Sequence, residues 1–241
     1  MISYLANPKR FDAFARVAIP VSGALAAVLL CAGLYLSLIA SPADYQQGDT
    51  IRIMYVHVPA AWLGLSLYLA MGISSAVYFI WRHNLADVAA ASIAPVGAVF
   101  AALCLVTGAI WGKPTWGTWW IWDARLTSML IQFLLFLGYM ALRGAIEDER
   151  LAARLAAILA MAGTLNVPIV KFSVEWWASL HQGASVLRAD GPSIDPSQLT
   201  PLLVMALGFT SFAAWIVMFR MRSVIMDRRA RALRLARESA A

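Results

Sequence analysis

Five of the ten tryptophans lie in one short segment of the chain, residues 111–123. If the second half of this segment is helical, Trp116, Trp119 and Trp120 share one helix face, and the carboxylate of Asp123 lies on that face one turn further on. Indole rings offer a wide, rigid surface and one N–H donor each. The spacing therefore predicts an aromatic surface for a large, flat, apolar ligand with a polar edge. An amphipathic helix that only anchors the chain at a membrane interface is the alternative.

Two histidines flank this segment in the sequence. His57 stands just before Pro59, a residue that suits the first turn of a helix, and His181 lies in the longest connection of the chain. Neutral imidazole is a common metal ligand, and two imidazoles can hold a haem iron from its two axial sides. Their spacing matches no metal-site motif, so each one alone could equally be a solvated helix cap. We interpret His83, beside Arg82, as such a solvated residue.

The tryptophans and the histidines together suggest a specific ligand. A porphyrin needs aromatic contacts, axial nitrogens for the iron, and cations for its two propionates. Arg125, two residues beyond Asp123, is the best placed cation, and arginine suits bidentate contact with carboxylates. An interfacial anchor for the following apolar run is the alternative role of Arg125. Three further cations are available in neighbouring segments: Arg52, Lys113 and Arg188.

The composition shows what kind of protein must position these residues. Of 241 residues, 61% are hydrophobic and only 13% are charged, and the mean hydropathy is +0.72. A soluble domain is nearer half apolar and a quarter charged, so a soluble globular or a disordered chain is excluded. Six runs are long and apolar enough to cross a bilayer. We predict an all-α polytopic protein forming one integral membrane domain, residues 1–241, with spans at about 17–40, 59–81, 88–110, 124–142, 151–170 and 200–219.

The basic residues predict an orientation. Fourteen of the 19 lysines and arginines fall on the side that holds both termini, which the positive-inside rule makes cytoplasmic. His57, His181 and the tryptophan segment then face outward, into the periplasm of a Gram-negative host. No cleavable signal peptide is evident, so the first run is predicted to be a retained helix. The pI of about 9.7 reflects an Arg-rich tail, which suits anionic lipid better than nucleic acid. This tail, residues 222–238, is either a helix on the lipid surface or a docking arm.

The run Trp116-Gly117-Thr118-Trp119-Trp120-Ile121-Trp122-Asp123 resembles the "WWD" motif of a family of haem-handling membrane proteins. With six spans and short loops, the chain is similar over nearly its whole length to the CcmC family of system I cytochrome c maturation. The larger relatives CcmF and CcsA carry more spans and extra histidines. The resemblance extends through Arg125 to Ser128 and includes one outward histidine on each side of the motif.

The resemblance carries expectations about the site and the partners. It implies a bacterial inner-membrane protein that binds haem b on its periplasmic face, with His57 and His181 as axial ligands. The WWD segment, residues 111–125, would contact the macrocycle through Trp116, Trp119, Trp120 and Trp122. Haem would pass to the membrane-anchored chaperone CcmE, which takes it up covalently through its own histidine. The ABC transporter CcmA–CcmB and the small membrane protein CcmD would complete the complex. Asp123 would either orient a donor or contact the chaperone.

Two other functions fit the same pattern. A quinone-reactive membrane cytochrome b would also bind haem, but it would place histidines inside the helix bundle rather than at span ends. A transporter subunit whose tryptophan face docks only protein would bind no pigment. The sequence contains no Walker A motif, so we expect no ATP hydrolysis and no enzymatic activity from this chain itself.

Overall fold

The computed structural model describes residues 7–183, 185–186, 188 and 190–239. The ends of the predicted domain, residues 1–6 and 240–241, lie outside the described residues. The described part is helical with no strand, and six of its helical stretches are long and apolar enough to span a membrane. The predicted all-α, six-span architecture is therefore confirmed, and the chain is a multi-pass membrane protein.

Each helical stretch continues past the predicted apolar run at one or both ends. Two short elements, a π-helical turn at Leu36–Ala40 and a 3₁₀ turn at Asp49–Ile53, adjoin the first two helices. The α-helices are α1 (Pro8–Tyr35), α2 (Met54–Trp81), α3 (Asn84–Trp116), α4 (Ala124–Ala145), α5 (Glu149–Gly163), α6 (Asn166–Trp176) and α7 (Pro196–Glu238).

The predicted short helix over residues 116–123 is wrong. Helix α3 continues through Pro114 to Trp116 and ends at Gly117, whose φ of +79° lies in the left-handed region that favours glycine. The chain then runs without helix to Asp123, the residue that caps α4. The tryptophans therefore do not share a helix face, and their positions have to be established one by one.

The fifth span, Glu149–Trp176, is interrupted in its middle. Helix α5 ends at Gly163 and α6 begins at Asn166, so backbone groups lose their regular helical partners inside the bundle. The buried Asn166 amide donates to the Ser128 carbonyl (2.9 Å) and to Gln132 Oε1 (3.1 Å) on α4. Such a break within a membrane is tolerated where it is buried in protein. The bonds fix α6 against α4, at the helix end that leads to His181.

The opposite end of the bundle is held by ion pairs. Helix α7 has 43 residues and is about 64 Å long at 1.5 Å per residue, far more than the apolar thickness of a bilayer. The Arg-rich tail is thus a direct continuation of α7. Its arginines tie α7 to three other segments, through the pairs Arg222–Asp12 (2.9 Å), Arg228–Asp87 (3.1 Å) and Arg231–Glu149 (3.5 Å).

Candidate functional site

His57 lies in the first turn of α2, which directly continues the 3₁₀ turn. The 3₁₀ turn and the first residues of α2 precede it, and its side chain is buried with 8% of its surface exposed. Its Nδ1 lies 3.0 Å from the carbonyl oxygen of Cys104 and 3.1 Å from Thr107 Oγ1 on α3. A carbonyl oxygen can only accept, so Nδ1 carries the proton and Nε2 keeps its lone pair. The sequence placed His57 at a span end, and in the structure it lies in the first turn of α2, after the 3₁₀ turn.

His181 lies in the connection between α6 and α7, residues 177–195, as predicted. Its Nδ1 is 2.9 Å from the carbonyl oxygen of Gln182, so here too the proton sits on Nδ1 and Nε2 is the potential ligand. The centroids of the His57 and His181 rings are 6.3 Å apart, with 33° between the ring planes. Two imidazoles that ligate one metal ion from opposite sides, each through a bond of about 2 Å, have centroids about 6 Å apart.

The two histidines border a cavity of about 640 Å³. This volume is within the range of pockets that enclose small organic ligands and cofactors. Within the described residues no group of three or more histidine, cysteine or acidic side chains could hold a metal ion. The protein thus offers two imidazoles whose ring centroids are 6.3 Å apart at one cavity, and the remaining metal ligands would come from the bound molecule. A planar macrocycle that brings four nitrogens of its own fits this donor set.

The tryptophans of residues 111–122 divide into two groups. Trp111, Trp116 and Trp120 line the cavity, and the Trp116 ring centroid is 6.0 Å from that of His181. Trp119 and Trp122 are 57% and 75% exposed and are not among the residues of the cavity wall. The buried Nε1 of Trp120 has no hydrogen-bond partner among the described residues. A donor in this position is suited to the polar edge of a ligand.

Asp123 and Arg125 connect the tryptophan segment to α6 and to the loop that follows it. One Asp123 oxygen caps α4 by accepting from the Leu126 backbone N–H (2.7 Å), and the other accepts a hydrogen bond from Ser179. The Arg125 guanidinium donates to Ser173 Oγ (3.1 Å) and to the Lys171 carbonyl (3.2 Å).

Arg125 also belongs to the cavity wall, and two of its five N–H donors make these bonds. The remaining donors can contact a ligand carboxylate.

Comparison with known proteins agrees with the geometry. The family model described as "CcmC: Heme exporter protein C" matches residues 1–236. The heme exporter protein C of Bradyrhizobium diazoefficiens is 52% identical over 235 residues, which cover 98% of this chain and 89% of the relative. The heme exporter protein C of Escherichia coli K12 is 43% identical, over 92% of this chain and 89% of the relative. A putative cytochrome c biosynthesis ccmC-like mitochondrial protein of Marchantia polymorpha is 42% identical over 83% of this chain and 84% of its own.

The chain belongs to the heme exporter protein C family.

The other three cations that the sequence offered for the ligand are not among the residues of the cavity wall. Lys113 bonds to the Gly117 carbonyl, Arg52 bonds to the Ser37 carbonyl and to Asp49, and Arg188 pairs with Asp190. Each of these three side chains is thus bonded to a nearby residue of the protein. Arg125 is the one of the four predicted cations that the structure brings to the cavity.

Sequence reasoning missed several polar residues of this site. Lys171 of α6 lines the cavity, as does Gln47, whose side-chain oxygen accepts from Trp111 Nε1 at 2.8 Å. Thr107, which holds His57, was also missed. These residues come from distant segments and follow no motif, so the sequence carried no signal for them.

Proposed function

We propose that this chain binds haem b as cargo in the cavity between His57 and His181 and presents it to the chaperone CcmE for cytochrome c maturation. The observation that carries the proposal is the 6.3 Å separation of the two ring centroids across a cavity lined by tryptophan. The families of the matched relatives, named for haem export and cytochrome c biosynthesis, support the same function.

The donor set favours handling of haem over redox catalysis by it. Two neutral imidazoles fill both axial positions of an iron, so no position is left for oxygen or another substrate. Trp116 and Trp120 would contact the macrocycle, and Trp120 Nε1 and Arg125 would donate to its polar edge. Trp119 and Trp122, exposed on the same segment, would be accessible to the protein that receives the haem.

The proposed partners follow from the family. CcmE would receive the haem, and CcmA–CcmB with CcmD would supply the ATP-driven step that this chain has no motif for. By the positive-inside rule both termini are cytoplasmic, and the cavity opens on the periplasmic side of the bacterial inner membrane. The Arg-rich end of α7 would then lie on the cytoplasmic side.

The test is haem transfer from the complete membrane protein. The chain is co-produced with full-length CcmE and its ABC partners and purified in detergent. We expect a low-spin, bis-imidazole haem spectrum from the chain and covalent haem on CcmE. A CcmE variant without its haem-binding histidine is the control, and it should leave the haem on this chain.

Each competing function gives a different result in this experiment. Haem that is reduced by quinol with turnover, and that never reaches CcmE, would indicate a cytochrome b. A stable, colourless preparation from haem-sufficient cells would indicate a protein-docking subunit. Either outcome contradicts the proposal.

The pH dependence of ligation follows from the surroundings of His181. Burial lowers the pKa of this imidazole below its ordinary 6.5; the Arg125 charge lowers it further, while the Gln182 carbonyl and Asp123 oppose the shift. The neutral, ligating form therefore persists below the pH at which an exposed histidine protonates.

We expect the low-spin spectrum to hold as pH falls to about 6.5 and to be lost only in more acid solution. In that same range the unfolded chain binds protons first, so the folded state also loses stability there. A spectroscopic pH titration measures the midpoint, with the His83→Ala variant as control. A midpoint above 6.5 would contradict the assignment of His181 as a ligand.

A further inference from the structure

Ser179 lies in the connection between α6 and α7, two residues before His181, and contacts the tryptophan segment. Its hydroxyl donates to Oδ2 of Asp123, and its oxygen accepts the backbone N–H of His181 at 3.1 Å. The chain of hydrogen bonds thus runs from the carboxylate that caps α4, through one hydroxyl, to the backbone of the histidine itself. Neither the motif nor the resemblance drew attention to this serine.

The segment around Ser179 buries little apolar surface. Helix α6 ends at Trp176, and Trp176, Trp177 and Leu180 are 55%, 50% and 54% exposed. A segment with so little buried apolar surface opens readily unless specific bonds hold it. Hydrogen bonds that involve an ionised carboxylate are about twice as strong as those between neutral groups.

We propose that Ser179 is the positioning residue that fixes His181 over the cavity by coupling its backbone to Asp123. Because Asp123 is also the N-cap of α4, the position of the second imidazole is set by the same residue that ends the tryptophan segment. The cavity wall and His181 then keep a fixed position relative to each other. The inference rests on the proposed function, since it assigns to His181 the role of an iron ligand.

The other hydrogen bonds of the described residues near His181 do not tie its loop to α4. The His181 ring has a hydrogen bond to Gln182, its neighbour in the same loop, and this bond orients the ring but does not tie the loop to the bundle. Arg125 ties the end of α6 through Ser173 and Lys171, before the loop begins. Among the hydrogen bonds that the described residues 177–183 make, the Asp123–Ser179 bond is the one that joins this loop segment to α4.

The test replaces Ser179 with alanine and with threonine in the full-length, haem-loaded protein. In Ser179→Ala we expect about a tenfold or greater loss of ligation by His181, the effect of losing one charge-assisted hydrogen bond. His57 remains, so the spectrum should shift from low-spin towards five-coordinate, high-spin haem. Added imidazole should restore the low-spin form. Ser179→Thr retains the hydroxyl and should keep the original spectrum.

Matched variants separate this effect from a general loss of structure. Ser193→Ala removes an exposed hydroxyl of the same loop, whose long 3.4 Å hydrogen bond to the Ser185 carbonyl does not involve Asp123 or His181, and should leave the spectrum unchanged. The inference is overturned if Ser179→Ala keeps the low-spin spectrum and haem content of the original protein. It is also overturned if Ser179→Ala loses haem and neither added imidazole nor the Ser179→Thr variant restores it. If His181→Ala leaves the spectrum unchanged, His181 is not an iron ligand. The proposed function then fails whatever the Ser179 variants show.

Discussion

In the double variant His57→Ala/His181→Ala, the low-spin haem of the purified protein is expected to be lost. In the proposed site both axial nitrogens would come from these two side chains, which line one cavity with their ring centroids 6.3 Å apart. Changes to residues that only support a ligand typically cost about 10–100-fold in metal affinity, so loss of both ligands should cost more. The measurement is haem content per protein with the absorption spectrum of the reduced form.

The third histidine provides the control for this double variant. His83 caps α3 at the other end of the bundle, where its ring accepts from the Ala86 backbone N–H at 3.3 Å. His83→Ala should keep the original spectrum and haem content. Haem bound at the original level by the double variant would refute the site.

Gly108→Ala is expected to abolish low-spin binding although it adds a single methyl group. A Cβ on Gly108 would lie 2.9 Å from Cε1 and 3.4 Å from Nδ1 of His57. The ring cannot give way freely, because the Cys104 carbonyl and Thr107 hold Nδ1. The ring must therefore move from its present position relative to His181, and a displacement of the order of 1 Å from a productive geometry can cost about a hundredfold.

The same substitution at Gly144 is a matched control. Gly144 lies in the last turn of α4, at the other end of that helix from Arg125, and a Cβ there would meet nothing within 4 Å. Alanine has the higher helix propensity, so Gly144→Ala should be neutral or slightly stabilising. Spectra and haem titrations of the two variants give the comparison. A Gly108→Ala protein that binds haem as tightly as Gly144→Ala would show that the ring of His57 is not held as described.

The membrane architecture could be predicted from the sequence because lipid imposes one strong rule. Backbone groups in a bilayer must be satisfied within the segment, so a run of about 20 apolar residues can only be a spanning helix. All six spans were predicted for this reason. Their ends were not, since helices such as α7 continue past the apolar run into polar residues such as Arg228.

The tryptophan segment shows where sequence periodicity is insufficient. The spacing of Trp116, Trp119 and Trp120 fits a helix, yet Gly117 ends α3 in a left-handed conformation and the segment continues without helix. Local conformation at a glycine thus outweighed the pattern of its neighbours. The residue types predicted a ligand surface, but the fold decided that Trp120 lines the cavity and Trp119 does not.

The sequence by itself determined that this is a six-span membrane protein with an aromatic segment and two histidines on one side, since hydropathy and charge act locally along the chain. Only the tertiary structure decided that the ring centroids of His57 and His181 lie 6.3 Å apart and that Ser179 joins Asp123 to the loop that carries His181. These contacts join helices and loops that are far apart in the chain. Their distances depend on how α2, α3, α4 and α6 pack, and no local pattern encodes that packing.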